Sequence, residues 1–299
     1  YEAAYEKLGY QVLLVDNGDA IQGGPIGTLS DGLYIIDIMN HVGYDVAVPG
    51  NHEFDYGMEQ FLALAEKAEF PYVSVNFTKE GEPVFAPYVI IEAEGAKIAF
   101  LGICTPKTIT TSTPTYFQNE AGEYIYGFCQ GEEGAELYNA VQTSVDAARA
   151  EGADYVIAMA HLGIEFDCTP WTSSEVINNT TGIDVVLDGH SHSVIEGDLV
   201  KNKDGEEVVL TSTGTKLENI GMLTIGTDGA VKSTLISNAA TVEFVAGVEE
   251  QFEELVNQVF CDNPRCITSI EQEIDHVFRY TDKENGICRC AYCEAQKKI

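Results

Sequence analysis

Four apolar runs, each ending in a short motif rich in Asp, Asn or His, constrain this chain more than any other feature. They are LLVDNGD (13–19), AVPGNHEFD (47–55), VIAMAHLG (156–163) and VVLDGHSH (185–192). Runs of this length read as buried strands. Polar, metal-competent side chains at the carboxyl ends of separate strands are how an α/β protein assembles a site at one rim. Four such placements in one chain point to a hydrolase with two metals.

The intervening segments support an α/β order. Residues 1–9 read as helix and Gln11–Asp16 as a strand. Ser30–Val42 reads as a helix stopped by Gly43, Tyr44–Pro49 as a strand, Gly57–Ala68 as an amphipathic helix and Pro71–Val75 as a strand. Val84–Ile91 and Lys97–Ile103 flank a turn, so the sheet is expected to become mixed there. Residues 105–130 show no period and read as a long loop. Glu132–Ala150 reads as helix, Asp154–Ala160 and Ile183–Leu187 as buried strands with a short helix between them. Glu206–Thr213, Ile220–Gly226 and Ala230–Leu235 read as antiparallel strands, and Val245–Val259 as a last helix. This order predicts an α/β fold, a four-layer α/β/β/α sandwich with mixed sheets.

A net charge of −32 excludes a nucleic-acid partner, because phosphate backbones need Lys and Arg neighbours. The same charge repels a small phosphate ester, so an anionic substrate requires bound cations to reverse the local field. No run of 18 apolar residues occurs, so no membrane-spanning helix is expected. Residue 1 is Tyr within a helix-like stretch, so the chain reads as starting mid-gene, and the lack of a visible export signal carries no information.

Within the motifs, the Asp19 carboxylate has two oxygens and can bridge two cations. Asp16 is a competitor, at the end of its strand. Asn51 can ligate without adding charge. His52 then remains for proton or charge chemistry, with Asp55 three residues on to hold its second ring nitrogen. Glu53 reads as a supporting or helix-entry carboxylate. Taken alone, His161 at a strand end is more often structural. His190 and His192, two apart in a turn, can serve neighbouring metals. Nitrogen and oxygen donors of this kind suit Zn, Mn, Fe, Co or Ni better than Ca.

GNHEFDYG, then VSVN (73–76), AHLG and DGHSH together resemble the calcineurin-like metallophosphoesterases, in the branch of 5′-nucleotidases, UDP-sugar hydrolases and 2′,3′-cyclic phosphodiesterases. The match runs from about Leu8 to Val259. The resemblance implies that Asp19 bridges two divalent metals, that Asn51, His161 and His190 complete one, and that His192 joins Asp19 on the other. It implies that His52 and Asp55 form a catalytic dyad, and that hydroxide held between the metals attacks phosphorus in line. The substrate is then a small phosphorylated molecule of the nucleotide kind. Residues that bind the rest of the substrate, and the oligomeric state, are not readable. The family also implies export to the periplasm, cell wall or medium.

Two departures qualify this. The family's D-x-H motif has no counterpart upstream of Asp19, and neither Asn17 nor Gln22 is an evident replacement, so one metal site is expected to be incomplete. Only 40 residues follow Val259, too few for the family's C-terminal substrate domain. The competing readings are a non-catalytic or inactive binding fragment and a hydrolase of a related ester (a cyclic nucleotide, a UDP-sugar or a thiosulfonate). The expected organisation is a catalytic domain over 1–244, a linker helix over 245–260 and a Cys-rich tail over 261–299. That tail holds five of the eight Cys and 6 of the 16 basic residues. Cys266, His276, Cys290 and Cys293 are candidate ligands of a small zinc site; disulfides and a disordered end are the alternatives.

Overall fold

The computed structural model describes residues 5–237, 254–256, 261, 277–282, 287–290, 293 and 295–298. The chain forms two compact units, Tyr1–Ile236 and Ser237–Ile299.

The larger unit is a layered α/β structure. Its strands are β1 (Val15–Asp16), β2 (Val46–Ala47), β3 (Thr78–Lys79), β4 (Glu82–Pro83), β5 (Tyr88–Ala93), β6 (Ala96–Cys104), β7 (Tyr126–Gly127), β8 (Tyr155–His161), β9 (Val185–Asp188), β10 (Val194–Lys201), β11 (Glu207–Thr213), β12 (Asn219–Ile225) and β13 (Val231–Ser237). The helices are α1 (Pro25–Ser30), α2 (Leu33–Val42), α3 (Met58–Lys67), α4 (Thr108–Thr111), α5 (Ala135–Ala150) and α6 (Ser173–Asn179). The main sheet has six strands in the order β10-β11-β9-β8-β6-β5. β6, β8, β9 and β11 are parallel neighbours, and β5 and β10 close the edges antiparallel. The sheet is therefore mixed.

Alternation along the central strands decides what each face meets. Ala99, Leu101, Val156, Ala158 and Ala160 pack with Leu137, Val141 and Val145 of α5 and Val176 and Ile177 of α6. Phe100, Ile157 and Met159 point the other way, onto Val46, Val48 and Val73 and partly buried Val15. Behind that second layer, α2 and α3 pack through Ile36, Met39, Phe61 and Leu64 into an aromatic core with Phe54, Phe77, Phe117 and Phe128. The second layer is thin: β1 pairs with β2 in parallel, and single bridges join Ala47 to Tyr72 and Val73 to Ala86.

Several expectations need correction. The helix expected over Ser30–Val42 forms over Leu33–Val42, because Asp31 (φ 47°) and Gly32 (φ 84°) are left-handed and separate it from α1, which ends at Ser30. A Cβ at Gly32 would stand 2.9 Å from Leu64 Cδ1, so the break lets α2 close onto α3. Residues 105–130 are not a loose loop. They contain α4, a 3-10 turn at Pro114–Phe117 and β7, and they bury Phe117 and Phe128. β10 was not expected as a strand; β11 pairs with it antiparallel and with β9 in parallel.

The smaller unit pairs β14 (Glu254–Val256), β15 (Val277–Asp282), β16 (Ile287–Cys290) and β17 (Gln296–Lys298) in antiparallel order. The expected helix over Val245–Val259 is therefore contradicted at Glu254–Val256, which is extended and bonded to β15; its other residues lie outside the described ones.

Candidate metal centre

Parallel pairing of β6, β8 and β9 brings their carboxyl ends to one rim. Cys104 stands opposite His161, and Ala160 opposite Asp188. The turn after β1 reaches the same rim through two glycines. Gly18 (φ 89°) would, with a Cβ, meet Gly50 N at 2.5 Å and His161 Nδ1 at 2.8 Å. A Cβ at Gly50 would overlap Asp19 Oδ1 and stand 2.8 Å from His161 Cε1. Only residues without side chains allow these turns to touch.

Asp19 Oδ1 accepts the backbone N–H of His52 at 2.8 Å, and Oδ2 lies 3.0 Å from His161 Nε2. His161 Nδ1 donates to the Asn17 carbonyl at 2.7 Å, which leaves Nε2 as the ring's lone-pair face. His161 is 2% exposed, and its Nε2 makes no hydrogen bond of acceptable geometry. A buried lone pair facing a carboxylate oxygen needs a positive charge between or upon them. Burial opposes ionisation of both groups, but their mutual attraction outweighs it, so the Asp19 carboxyl is held low and His161 is pushed up; without a metal a proton on Nε2 supplies that charge, and a metal would take its place.

His190 completes the cluster. Its ring lies 5.2 Å from that of His161, edge to face, and its Nδ1 is 2.8 Å from Asn51 Oδ1. One ligand atom from each of Asp19, His161 and His190 lies within 4.8 Å of the others. Burial, then the nearby His161 charge, pushes His190 down to about 4, so it is a neutral donor at pH 7. Carboxylate, two imidazoles and the Asn51 amide form a donor set for a divalent transition metal. His192 is exposed and does not belong to this three-residue cluster.

His52 Nδ1 is 2.6 Å from Asp55 Oδ2, and the imidazole is partly exposed beside the cluster. Burial opposes its charge, but Asp19 and then Asp55 more than compensate and raise its pKa. Glu53, 1% exposed, accepts backbone N–H bonds from Gly50 (2.6 Å), Asp19 (2.8 Å) and Ala20 (2.8 Å), pinning the two turns together.

Two residues take supporting roles that the sequence did not reveal, although the sequence reading weighs Asn17 as a replacement metal ligand. Asn17 Nδ2 donates to the Leu187 carbonyl at 2.6 Å and the Ala160 carbonyl at 3.3 Å, tying the first turn to β9 and β8. Asp188, 4% exposed, accepts from Gly163 N (3.0 Å) and Ser173 Oγ (2.5 Å), joining the turns that carry His161 and His190. The only signal for either was its place inside a motif.

A cleft of about 400 Å³ opens along the loop that follows Asp19 in sequence, lined by Ala20, Gln22, Gly23, Ile35, Lys216 and Leu217. Another, of about 390 Å³, lies by Arg149 and Asp184, before β9 and away from the motifs. In the smaller unit, Cys261, Cys290 and Cys293 form a second cluster with sulfurs within 4.8 Å of one another, Cys261 Sγ standing 3.5 Å from Cys293 Sγ. Two expected tail ligands, Cys266 and His276, lie outside the described residues. Cys261 was not among the expected zinc ligands, although its C-x4-C spacing to Cys266 was a signal.

The fold and the rim cluster define a calcineurin-like phosphoesterase architecture. Through residues 17–227 the chain belongs to the metallophosphoesterase family described as bacterial capsule synthesis protein PGA_cap. Residues 253–298 match the aspartate carbamoyltransferase regulatory chain, metal binding domain. The trifunctional nucleotide phosphoesterase protein YfkN of Bacillus subtilis is 32% identical over 61% of this chain and 13% of its own length. The 5′-nucleotidase of Rattus norvegicus is 28% identical over 62% of this chain and 30% of its own. The crystal structure of calcineurin-like phosphoesterase YfkN from Bacillus subtilis has a TM-score of 0.62 at 24% identity, covering 83% of this chain and 86% of that one. The 5′-nucleotidase precursor from Thermus thermophilus has a TM-score of 0.62 at 23% identity, covering 80% of this chain and 50% of that one. These structural likenesses establish the fold. The chain spans about a third or less of the length of the curated relatives it matches.

Proposed function

We propose that the larger unit hydrolyses phosphate esters of nucleotides with a divalent metal at its strand rim. The observation that carries this reading is the buried His161 Nε2, 3.0 Å from Asp19 Oδ2 and without a hydrogen bond. Asp19, His161, His190 and Asn51 would hold the cation. When bound, such a cation polarises a phosphoryl oxygen and makes water a stronger nucleophile near neutral pH.

The remaining steps belong to this chain's own side chains. Asp55 fixes the His52 ring through Nδ1, which leaves Nε2 directed away from that carboxylate. The raised pKa favours the protonated ring, the form in which His52 stabilises charge developing on the phosphoryl group and gives a proton to the departing alkoxide. The cleft lined by Ala20, Gln22 and Lys216 offers space for the rest of a nucleotide. A second metal would need His192 and further donors; the exposed His192 supports one tight site and one weak one. Release of phosphate from AMP by the metal-supplemented protein, abolished by chelation and by Asp19→Asn, is the expected result. Release that persists in Asp19→Asn refutes the reading.

The tail cluster is proposed as a structural zinc site of Cys261, Cys290 and Cys293, with Cys266 as fourth ligand by its C-x4-C spacing. The match to a metal binding domain supports it. Zinc released on thiol modification, in a 1:1 ratio to chain, is the expected readout; a zinc-free, fully folded tail refutes it. Kinship with 5′-nucleotidases supports export as the working location, and among the described residues no helix is long and apolar enough to cross a membrane.

A further inference from the structure

We propose that Lys107 is the protein's own cation for the substrate's phosphoryl oxygens, parked on Asp167 until an anion arrives. This rests on the phosphoesterase reading and adds a residue to it. Placement comes from the sheet. Cys104, the last residue of β6, pairs with His161, and Lys107 follows three residues later on the same rim. The backbone there is braced by side-chain hydrogen bonds: Thr110 and Thr111 hydroxyls each donate to the Lys107 carbonyl at 3.0 Å, and Thr108 Oγ1 donates to the Thr105 carbonyl at 2.7 Å. The side chain runs over Cys168, with Nζ 3.9 Å from its sulfur. Gly163 lies between Cys168 and His190, since a Cβ there would meet Cys168 Sγ at 3.2 Å and His190 Cδ2 at 3.4 Å.

The parking contact is weakly held. Lys107 Nζ is 2.7 Å from Asp167 Oδ2, but Asp167 is 67% exposed while Lys107 is only 19% exposed. An ion pair with one partner in water contributes little, so a more concentrated anion at the rim displaces it. A phosphate dianion beside a metal is such an anion, and an ammonium on a flexible stem can turn to it without moving the backbone. In a chain of net charge −32, a cation at this rim also answers the long-range repulsion of the substrate.

A purely structural ion pair and a phosphate cation predict different signs for the two partners. Losing either member of a structural pair has the same effect, whereas freeing the lysine strengthens phosphate binding. The test is calorimetric titration of inorganic phosphate into the Mn²⁺-supplemented full chain, comparing wild type with Lys107→Met, Lys107→Arg and Asp167→Asn. Lys107→Met is expected to weaken phosphate by about tenfold or more, as loss of a hydrogen bond to a charged group does. Asp167→Asn is expected to tighten it about two- to fivefold, the worth of an exposed pair, and Lys107→Arg to fall between wild type and Lys107→Met. Phosphate affinity in Lys107→Met within twofold of wild type overturns the proposal, as does weakening by Asp167→Asn, or wild type that binds no phosphate. Turnover of AMP, measured on the same samples, separates the two ideas. Wild type that binds phosphate through Lys107 but hydrolyses nothing leaves this proposal standing and removes the phosphoesterase reading. Hydrolysis together with unchanged phosphate affinity in Lys107→Met does the reverse.

Discussion

Replacing Gly50 by Ala probes whether two turns, 31 residues apart in sequence, must touch to build the centre. Gly50 is not among the residues with positive φ, so alanine brings no backbone strain there. Its Cβ would overlap Asp19 Oδ1 and stand 2.7 Å from Asp19 N and 2.8 Å from His161 Cε1. Two of those neighbours are backbone or carboxylate held by Glu53 and His52, so they cannot swing aside as the end of a flexible chain would. Overpacking of this kind costs about 1–3 kcal/mol. The separation of the turns must grow by several tenths of an ångström, which pulls Asp19 away from His161 and weakens a cation held by both. Urea denaturation in EDTA reads the stability loss, and Mn²⁺ titration of the folded protein reads affinity, with a drop of about tenfold expected for a loss near 1.4 kcal/mol. Gly81→Ala is the control. Gly81 has φ 87° and nothing within 4 Å of a built Cβ, so it loses stability through backbone strain alone and keeps its Mn²⁺ affinity. Gly50→Ala with wild-type stability and wild-type Mn²⁺ affinity refutes the close approach and the site built upon it.

Other consequences follow from named contacts. His52→Ala is expected to slow phosphate release from AMP by about 10²–10⁴-fold with Mn²⁺ affinity little changed, the range for a lost acid–base group; equal losses in metal affinity would place His52 in the metal shell instead. Asp188 is pushed up to about 6 by burial, above its ordinary 3.8. Its folded form therefore binds the proton more tightly, and that stability is full below pH 4 and lost as pH rises through 6. In EDTA, Asp188→Asn keeps acceptors for Gly163 and Ser173 and removes this loss, flattening the stability profile between pH 4 and 7 by about 3 kcal/mol; a profile parallel to wild type contradicts the buried carboxylate.

Much of the rim was legible because its information is local. A strand-length apolar run fixes where a motif falls, and parallel neighbours then bring distant motifs together, as Cys104 and His161 show. What could not be read depends on partners remote in sequence. Glu53 reads as a supporting carboxylate, but the amides it accepts lie across two turns, and Asn17 bridges to Ala160 and Leu187 from over 140 residues away. β10 alternates weakly, with Val194 and Leu199 exposed, as an edge strand does. Residues 105–130 lack a period because Phe117 and Phe128 enter the core from irregular backbone. Glu254–Val256 carries an amphipathic helical pattern, yet pairing with β15 overrides that local preference. Cys261 stands with Cys290 and Cys293, a grouping that spacing alone left open.

The centre itself is tested most directly by crystals of the protein soaked in Mn²⁺ and measured for anomalous scattering. The account predicts a strong peak bounded by Asp19, His161 and His190, with Asn51 beside it, and a weaker one or none near His192. Manganese bound only elsewhere, with His161 Nε2 still lacking a cation, would contradict it.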